Sequence, residues 1–388
     1  MQKYILYISK LTGDMKGIGR GVFKSTILLL LGSTFGFLFS LTGVSIGWMI
    51  GTMILLGALS IARPSWFASI LPESGFSPRW KNLAQLILAV QIGEQMTAQK
   101  WDIFAHSWFI ITGMLVLSMV FSVLSGIFLN RYSNVGVITS LYATAPGGLN
   151  NMPAIAEEVG ANTVVVTIVQ VTRILVVVGL IPIFVRVEDH NNHMITTSVG
   201  VDTLTNVSMW WAGCLLLAAQ IGYLIMKRLR FPAARMIGGI IGVALCQLIS
   251  TSITDTDLVP WYPAELKVII QIILGASLGL SIKKEMFKGL GKITLLGIFS
   301  SSALLVLMVF FSYLLSSNSG ISYLTAILAF APGGVAEMTV TALSLQENVP
   351  FVASAQTLRI IMTFLLIPPL CRFLSVYLNF KRDTNHNM

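Results

Sequence analysis

Apolar residues run along this chain in blocks of about twenty, separated by short stretches where lysine, arginine and proline collect. That length matches the roughly 20 residues a helix needs to cross a bilayer. In the first half the pattern predicts spans at Phe23–Leu41, Val44–Ala62, Asn82–Gln95, Ser107–Leu129 and Ala161–Val185. In the second it predicts Val207–Met226, Pro232–Ser250, Trp261–Ile282, Ile293–Leu315 and Pro350–Leu374. Trp48, Trp80, Trp108, Trp210 and Trp261 sit at or near segment starts, as interfacial anchors do. Two segments depart from the pattern. Asn134–Thr144 is an apolar run of about 16 Å as helix. Ala145-Pro146-Gly147-Gly148 stops it, and the more polar Leu149–Gly160 follows. Proline lacks an amide proton and glycine tolerates unusual torsions, so a helix ends there. Ile321–Phe330 and Val335–Gln346 repeat the design around Ala331-Pro332-Gly333-Gly334.

The repetition extends well beyond that motif. At an offset of 186 residues, Gln170-x-x-Arg173-Ile174 returns as Gln356-x-x-Arg359-Ile360, and Ile181-Pro182 as Ile367-Pro368. Residues 143–186 and 329–372 share 16 identities in 44 positions without a gap. Gln85 and Gly93 match Gln271 and Gly279, and Met49-Ile50-Gly51 matches Met236-Ile237-Gly238 at 187. The chain therefore divides into membrane repeat 1 (1–190) and membrane repeat 2 (191–388), joined by a polar linker from about Val187 to Leu204. A doubled membrane protein with a helix break and a mid-span arginine in each half has the sequence form of a transporter.

Basic residues decide between two topologies, because short loops rich in lysine and arginine stay cytoplasmic. With the N-terminus inside and the broken segments re-entrant, each half crosses five times. Lys and Arg then fall 20 inside and 2 outside, with Arg173, Lys267 and Arg359 within spans. If the broken segments cross fully, six crossings per half give 13 against 9. The first count favours an all-α integral membrane protein of about ten transmembrane helices in two inverted repeats. Each repeat then carries a broken re-entrant segment at Ala-Pro-Gly-Gly.

Composition agrees with this class. Hydrophobic residues make up 55% of 388 and charged residues 11%, against about a quarter charged in soluble domains. Mean hydropathy is +0.81. The net charge of +9 needs no nucleic-acid partner, because basic residues flanking apolar spans orient the chain in the lipid bilayer. The N-terminal stretch does not have the form of a cleaved signal, its charges being spread over more than twenty residues. Cys214, Cys246 and Cys371 lie in apolar segments with no pairing signal in their spacing, so no disulfide or metal framework is expected. His106, His190, His193 and His386 lie in loops or at a span edge, and His190-x-x-His193 is expected to be solvated linker. With no nucleophile triad, phosphate loop or redox cysteine pair, neither an enzyme nor a cofactor is expected.

The candidate chemistry sits at the breaks. Arg173 lies about a dozen residues from each end of its span, and Arg359 is comparably deep. Snorkelling covers several ångströms, not the 15 Å or so of that depth. An arginine at a helix centre costs about 2.5–3.5 kcal/mol on insertion scales, so it should face protein, water or ligand. Two roles are open: donating to carbonyls freed at the break, or contacting a substrate. Gln170 and Gln356 share their arginines' helix faces by i, i+3 spacing. Past the breaks stand Asn150 and Asn151 in the first copy and Glu337 in the second. Glu337 is the only carboxylate near either tip, hence the expected partner for Arg173 or Arg359, and a proton-coupling group if it titrates. Pro146, Gly147 and Gly148, with Pro332, Gly333 and Gly334, would present the N-terminus of a half-helix toward the membrane centre. The centre carries net positive charge, which suits a small anionic ligand.

At these residues the chain resembles the bacterial AbrB-duplication membrane family, also labelled ammonia monooxygenase-like. The resemblance spans about 25 to 375 and rests on Met49-Ile50-Gly51, Gly275-Ala276-Ser277-Leu278-Gly279, both Ala-Pro-Gly-Gly copies, Glu337-Met338 and both Gln-x-x-Arg motifs. It implies a duplicated multi-spanning protein of the bacterial inner membrane, with both termini cytoplasmic by the charge count, and an association with regulation of gene expression. No loop exceeds about twenty residues, too few for a DNA-binding domain, so a regulatory role would be indirect and no direct nucleic-acid partner is expected. Two functions are carried forward. One is a secondary transporter of a small anionic metabolite, driven by a coupling ion (H+ or Na+). The other is a membrane regulator or sensor signalling through a partner protein. Either is compatible with an oligomer.

Overall fold

The computed structural model describes residues 2–44, 46–71, 76–95, 98–148, 152–189, 206–229, 231, 234–254, 265–282, 284 and 290–386. Among these there is no strand. The first repeat forms α1 (Gln2–Ser40), α2 (Gly47–Ala62), α3 (Ser65–Ile70), α4 (Pro78–Gly93), α5 (Ala98–Tyr132), α6 (Val137–Thr144), α7 (Met152–Glu158) and α8 (Thr163–Asp189). The second forms α9 (Asn206–Arg228), α10 (Ala234–Thr254), α11 (Glu265–Gly279), α12 (Gly291–Ser319), α13 (Tyr323–Phe330), α14 (Val335–Ser344) and α15 (Val349–His386). Among the described residues, a helix covers each span and each half of each broken segment expected from the apolar pattern; the start of the Trp261–Ile282 span, with Trp261, lies outside the described residues.

Six of these helices are long and apolar enough to cross a membrane, at Gly21–Ser40, Ile111–Tyr132, Thr163–Ile181, Trp210–Arg228, Gly291–Ser317 and Val349–Cys371. Their outer faces expose large apolar side chains, among them Leu217, Ile221, Phe299, Val306 and Leu365. Lipid tolerates such a surface and water does not. The chain is a multi-pass membrane protein. The other four expected spans are shorter: α2 and α4 have 16 residues, α11 has 15, and the apolar stretch of α10 runs only over Ala234–Ser250. At 1.5 Å per residue the first three reach about 24 Å, less than the roughly 30 Å hydrocarbon core. Two differences from the apolar pattern stand out. α3 follows Pro64, which cannot continue α2. α1 and α15 also run well past their apolar stretches into charged sequence.

The helices gather into two compact units. Met1–Ile87 with Pro263–Glu285 forms one, in which α2 packs between α1 and α11. Its backbones touch. A Cβ added at Gly51 would lie 2.5 Å from the Phe35 carbonyl, and one at Gly275 would lie 2.4 Å from that of Met49. Thr52 Oγ1 donates to Gly32 O at 3.1 Å and Ser60 Oγ to Ile282 O at 2.6 Å, the small-residue and hydroxyl packing that holds helices together in lipid. The other unit is Leu88–Tyr262 with Met286–Met388. Within it α9 pairs with α10, and α5–α8 interleave with α12–α15: α12 lies against α5 and α8, and α15 against α5, α6, α13 and α14.

Candidate functional site

Both broken segments are hairpins. α6 stops because Ala145 turns extended (φ −60°, ψ 135°) ahead of Pro146. α13 stops in the same way at Ala331 (φ −56°, ψ 140°). In each copy the turn tightens through one backbone bond, Gly147 N to Ala145 O at 2.9 Å and Gly333 N to Ala331 O at 2.8 Å. Gly148 then takes φ +87°, a torsion that costs any residue with a Cβ. The chain turns back and meets its own beginning. Asn162 N donates to Thr139 Oγ1 at 3.1 Å, and Asn348 N donates to Thr325 Oγ1 at 3.2 Å. The same asparagines cap the next helix: Asn162 Oδ1 accepts from Val164 N and Val165 N, and Asn348 Oδ1 accepts from Phe351 N. Threonine and asparagine both recur at the 186-residue offset, a signal present in the sequence but overlooked beside the louder motif.

Breaking a helix in an apolar interior strands its last carbonyls, which must find donors. The Gln-x-x-Arg motifs supply them. Gln170 Nε2 donates to Ala145 O at 2.8 Å and Tyr142 O at 3.3 Å. Arg173 Nη1 donates to Thr144 O at 2.9 Å and Ala145 O at 3.1 Å, while Nη2 donates to Gln170 Oε1 at 2.5 Å. The second copy repeats the network. Gln356 Nε2 donates to Leu328 O at 2.7 Å and Ala331 O at 3.2 Å. Arg359 Nη1 donates to Ala331 O at 2.5 Å and Phe330 O at 3.5 Å, and Nη2 to Gly333 O at 2.8 Å and to Gln356 Oε1. The planar, forked guanidinium fits this work as no amine would. Both arginines therefore fill the first of their two open roles.

They also keep a donor in reserve. Arg173 is 4% exposed and Arg359 2%, yet the Nε–H of each has no hydrogen-bond partner. The two guanidiniums are close enough for the charge of one to be felt at the other. Neither forms an ion pair with Glu337. That carboxylate folds back over Gly334 at the start of α14, where a Cβ on the glycine would sit 1.9 Å from Oε2. Gly147 and Gly333 are covered by Met152 and Met338, which also correspond across the repeat. The first tip packs on α15, where Leu141, Tyr142, Ala145 and Met152 share a cluster with Ile367 and Cys371. The structure thus brings Pro146, Gly147, Gly148, Gln170 and Arg173 to one tip, and Pro332, Gly333, Gly334, Glu337, Gln356 and Arg359 to the other. Asn150, Asn151, His190 and His193 lie outside the described residues. Among the described residues no group of three His, Cys, Asp or Glu could hold a metal ion.

Residues 48–375 match the family model described as transition state regulatory protein AbrB. The chain is 36% identical over 367 residues to the Bacillus subtilis (strain 168) protein named "Uncharacterized protein YhjN", covering 93% of this chain and 95% of the relative. It is 28% identical over 318 residues to the Escherichia coli (strain K12) protein named "Putative regulator AbrB", covering 79% and 84% respectively. No solved structure matches. By the reach of these matches, the chain belongs to the AbrB family.

Proposed function

We propose that this AbrB-family membrane protein is a secondary transporter of a small anionic metabolite, bound between the tips of two re-entrant hairpins. The observation that carries the reading is the pair of buried, unpartnered Nε–H groups on Arg173 and Arg359. Each guanidinium spends its other nitrogens on the break and on the glutamine of its own motif, and keeps one donor, with its positive charge, for something the protein does not supply. A buried cation without a counter-ion is costly, and a carboxylate or similar anion bound there would relieve both deficits. The α14 N-terminus adds potential of the same sign. Glu337, beside that terminus, is the group we assign to coupling with H+ or Na+. No enzymatic step is assigned to the site.

The hairpin mouths, tied at Thr139–Asn162 and Thr325–Asn348, favour re-entrant segments over full crossings, and with them five spans per repeat. On this reading the repeats are inverted, both termini are cytoplasmic and the bilayer is the inner membrane. Cysteine-accessibility mapping tests the topology: the Glu188–His193 linker and the Lys283–Lys292 loop should label from opposite sides, and labelling from one side would refute it.

The regulatory wording of the family description and of the Escherichia coli relative's name favours a second reading, a ligand sensor that acts through a partner protein. Reconstitution separates the two. Saturable, gradient-dependent flux of a small carboxylate in proteoliposomes supports transport. Ligand binding with no flux, and a soluble protein that co-purifies, would overturn it in favour of the sensor.

A further inference from the structure

The α9–α10 pair brings together two cysteines that sequence spacing leaves unrelated. These helices approach until their backbones touch. A Cβ on Gly222 would lie 2.0 Å from Gly238 O, one on Gly238 would lie 2.4 Å from Gly222 O, and one on Gly242 would lie 2.3 Å from Ala218 O. The helices run antiparallel, so opposed positions step four residues up one helix and four down the other: Gly222 faces Gly238, then Ala218 faces Gly242. The next rung sets Cys214 against Cys246. Beyond it, Trp211 Nε1 donates to Gln247 Oε1 at 3.1 Å, so cross-helix contacts bracket the cysteines on both sides. Both thiols are free, Cys214 exposed and Cys246 half-buried, and a charge on one sulfur is felt at the other. A disulfide needs Cα atoms roughly 4.4–6.8 Å apart, a separation that helices in backbone contact provide.

We propose that Cys214 and Cys246 form a redox dithiol that closes to an intramolecular disulfide, clipping α9 to α10, by exchange with a small lipid-permeant organic disulfide. The thiolate of one cysteine attacks the reagent, forming a mixed disulfide and releasing one thiol. The sulfur of the other cysteine then attacks the first, expelling the second thiol. Both protein protons leave on the two released thiols, and the reagent's disulfide is what is reduced. In the topology proposed above, this end of the pair lies toward the non-cytoplasmic face, where disulfides persist.

The test uses full-length protein in lipid nanodiscs with Cys371→Ala, so that only the pair remains, and 4,4′-dithiodipyridine as the oxidant. Released thiopyridone is counted, followed by the thiopyridyl that dithiothreitol strips from the protein afterwards. The expected result is two equivalents released and none retained. Cys214→Ala or Cys246→Ala in that background should release one and retain one. Two released with two retained would mean that the sulfurs react separately and cannot meet, and no release would mean that the thiols are inaccessible. Either result overturns the proposal, and neither bears on the anion site.

Discussion

Replacing either arginine by glutamine should affect the two repeats unequally, and the hydrogen bonds say which suffers more. Arg173 donates to Thr144 O and Ala145 O, but both acceptors have another donor: Ser122 Oγ reaches Thr144 O at 2.7 Å, and Gln170 Nε2 reaches Ala145 O at 2.8 Å. Arg173→Gln therefore leaves no tip carbonyl bare. Arg359 donates to Ala331 O, which keeps Gln356, but also to Phe330 O and Gly333 O, for which no second donor is present among the described residues. An unsatisfied buried polar group costs about 1–3 kcal/mol, so Arg359→Gln should be destabilised by roughly 2–6 kcal/mol more than Arg173→Gln. The Phe330 contact is long, which places the difference toward the lower end of that range. Even there, a difference of about 2 kcal/mol changes the folded-to-unfolded ratio some 30-fold. The assay is membrane abundance of fluorescent fusions together with thermal aggregation of detergent-purified protein. Arg173→Gln should accumulate near wild-type levels while losing anion binding or flux, whereas Arg359→Gln should accumulate poorly. Equal losses, or a less stable Arg173→Gln, would refute the donor count. A normally folded and fully active Arg173→Gln would refute the anion site.

Three further outcomes follow from the geometry. Gln346 holds φ +57° at the position where the first repeat has Gly160 at φ +70°, so Gln346→Gly should relieve about 1 kcal/mol of strain. Part is lost to unfolded-chain entropy, and a lowered thermal midpoint would contradict the expectation. Thr139→Val and Thr325→Val each remove the hydroxyl that closes a hairpin mouth. Each should cost about 1 kcal/mol and raise proteolysis or hydrogen exchange around 159–162 or 345–348 respectively, and unchanged protection in both would argue against the closed mouth. Gly238→Leu sets a side chain where the Gly222 carbonyl now lies. It should separate α9 from α10 and abolish the Cys214–Cys246 disulfide, which persistence of the crosslink would disprove.

The sequence by itself determined the class of the protein, the duplication, the places where helices break and the recurrence of Gln-x-x-Arg 25 residues beyond each break. These are local facts. Apolar length sets a span, proline and glycine end a helix, and a repeated pattern shows against its own copy. The interactions across space were not local, and there the expectations moved. Glu337 looked like the natural partner of an arginine because it is the only carboxylate near the tip of either broken segment. In the folded chain the guanidiniums meet carbonyls that the broken helices had already stranded, and the carboxylate turns to its own helix start instead. The hairpin mouths depend on Thr139 meeting Asn162 and Thr325 meeting Asn348, pairs 23 residues apart. Residue identity made that closure possible, but only the return of the chain made it happen. Cys214 and Cys246 carry no spacing signal because their separation reflects where two antiparallel helices cross. That crossing is set by glycines about one to two turns away that let the backbones touch. Sequence decides which groups must be satisfied, and tertiary structure decides which partner arrives, because in an apolar interior a stranded carbonyl takes the donor that packing delivers.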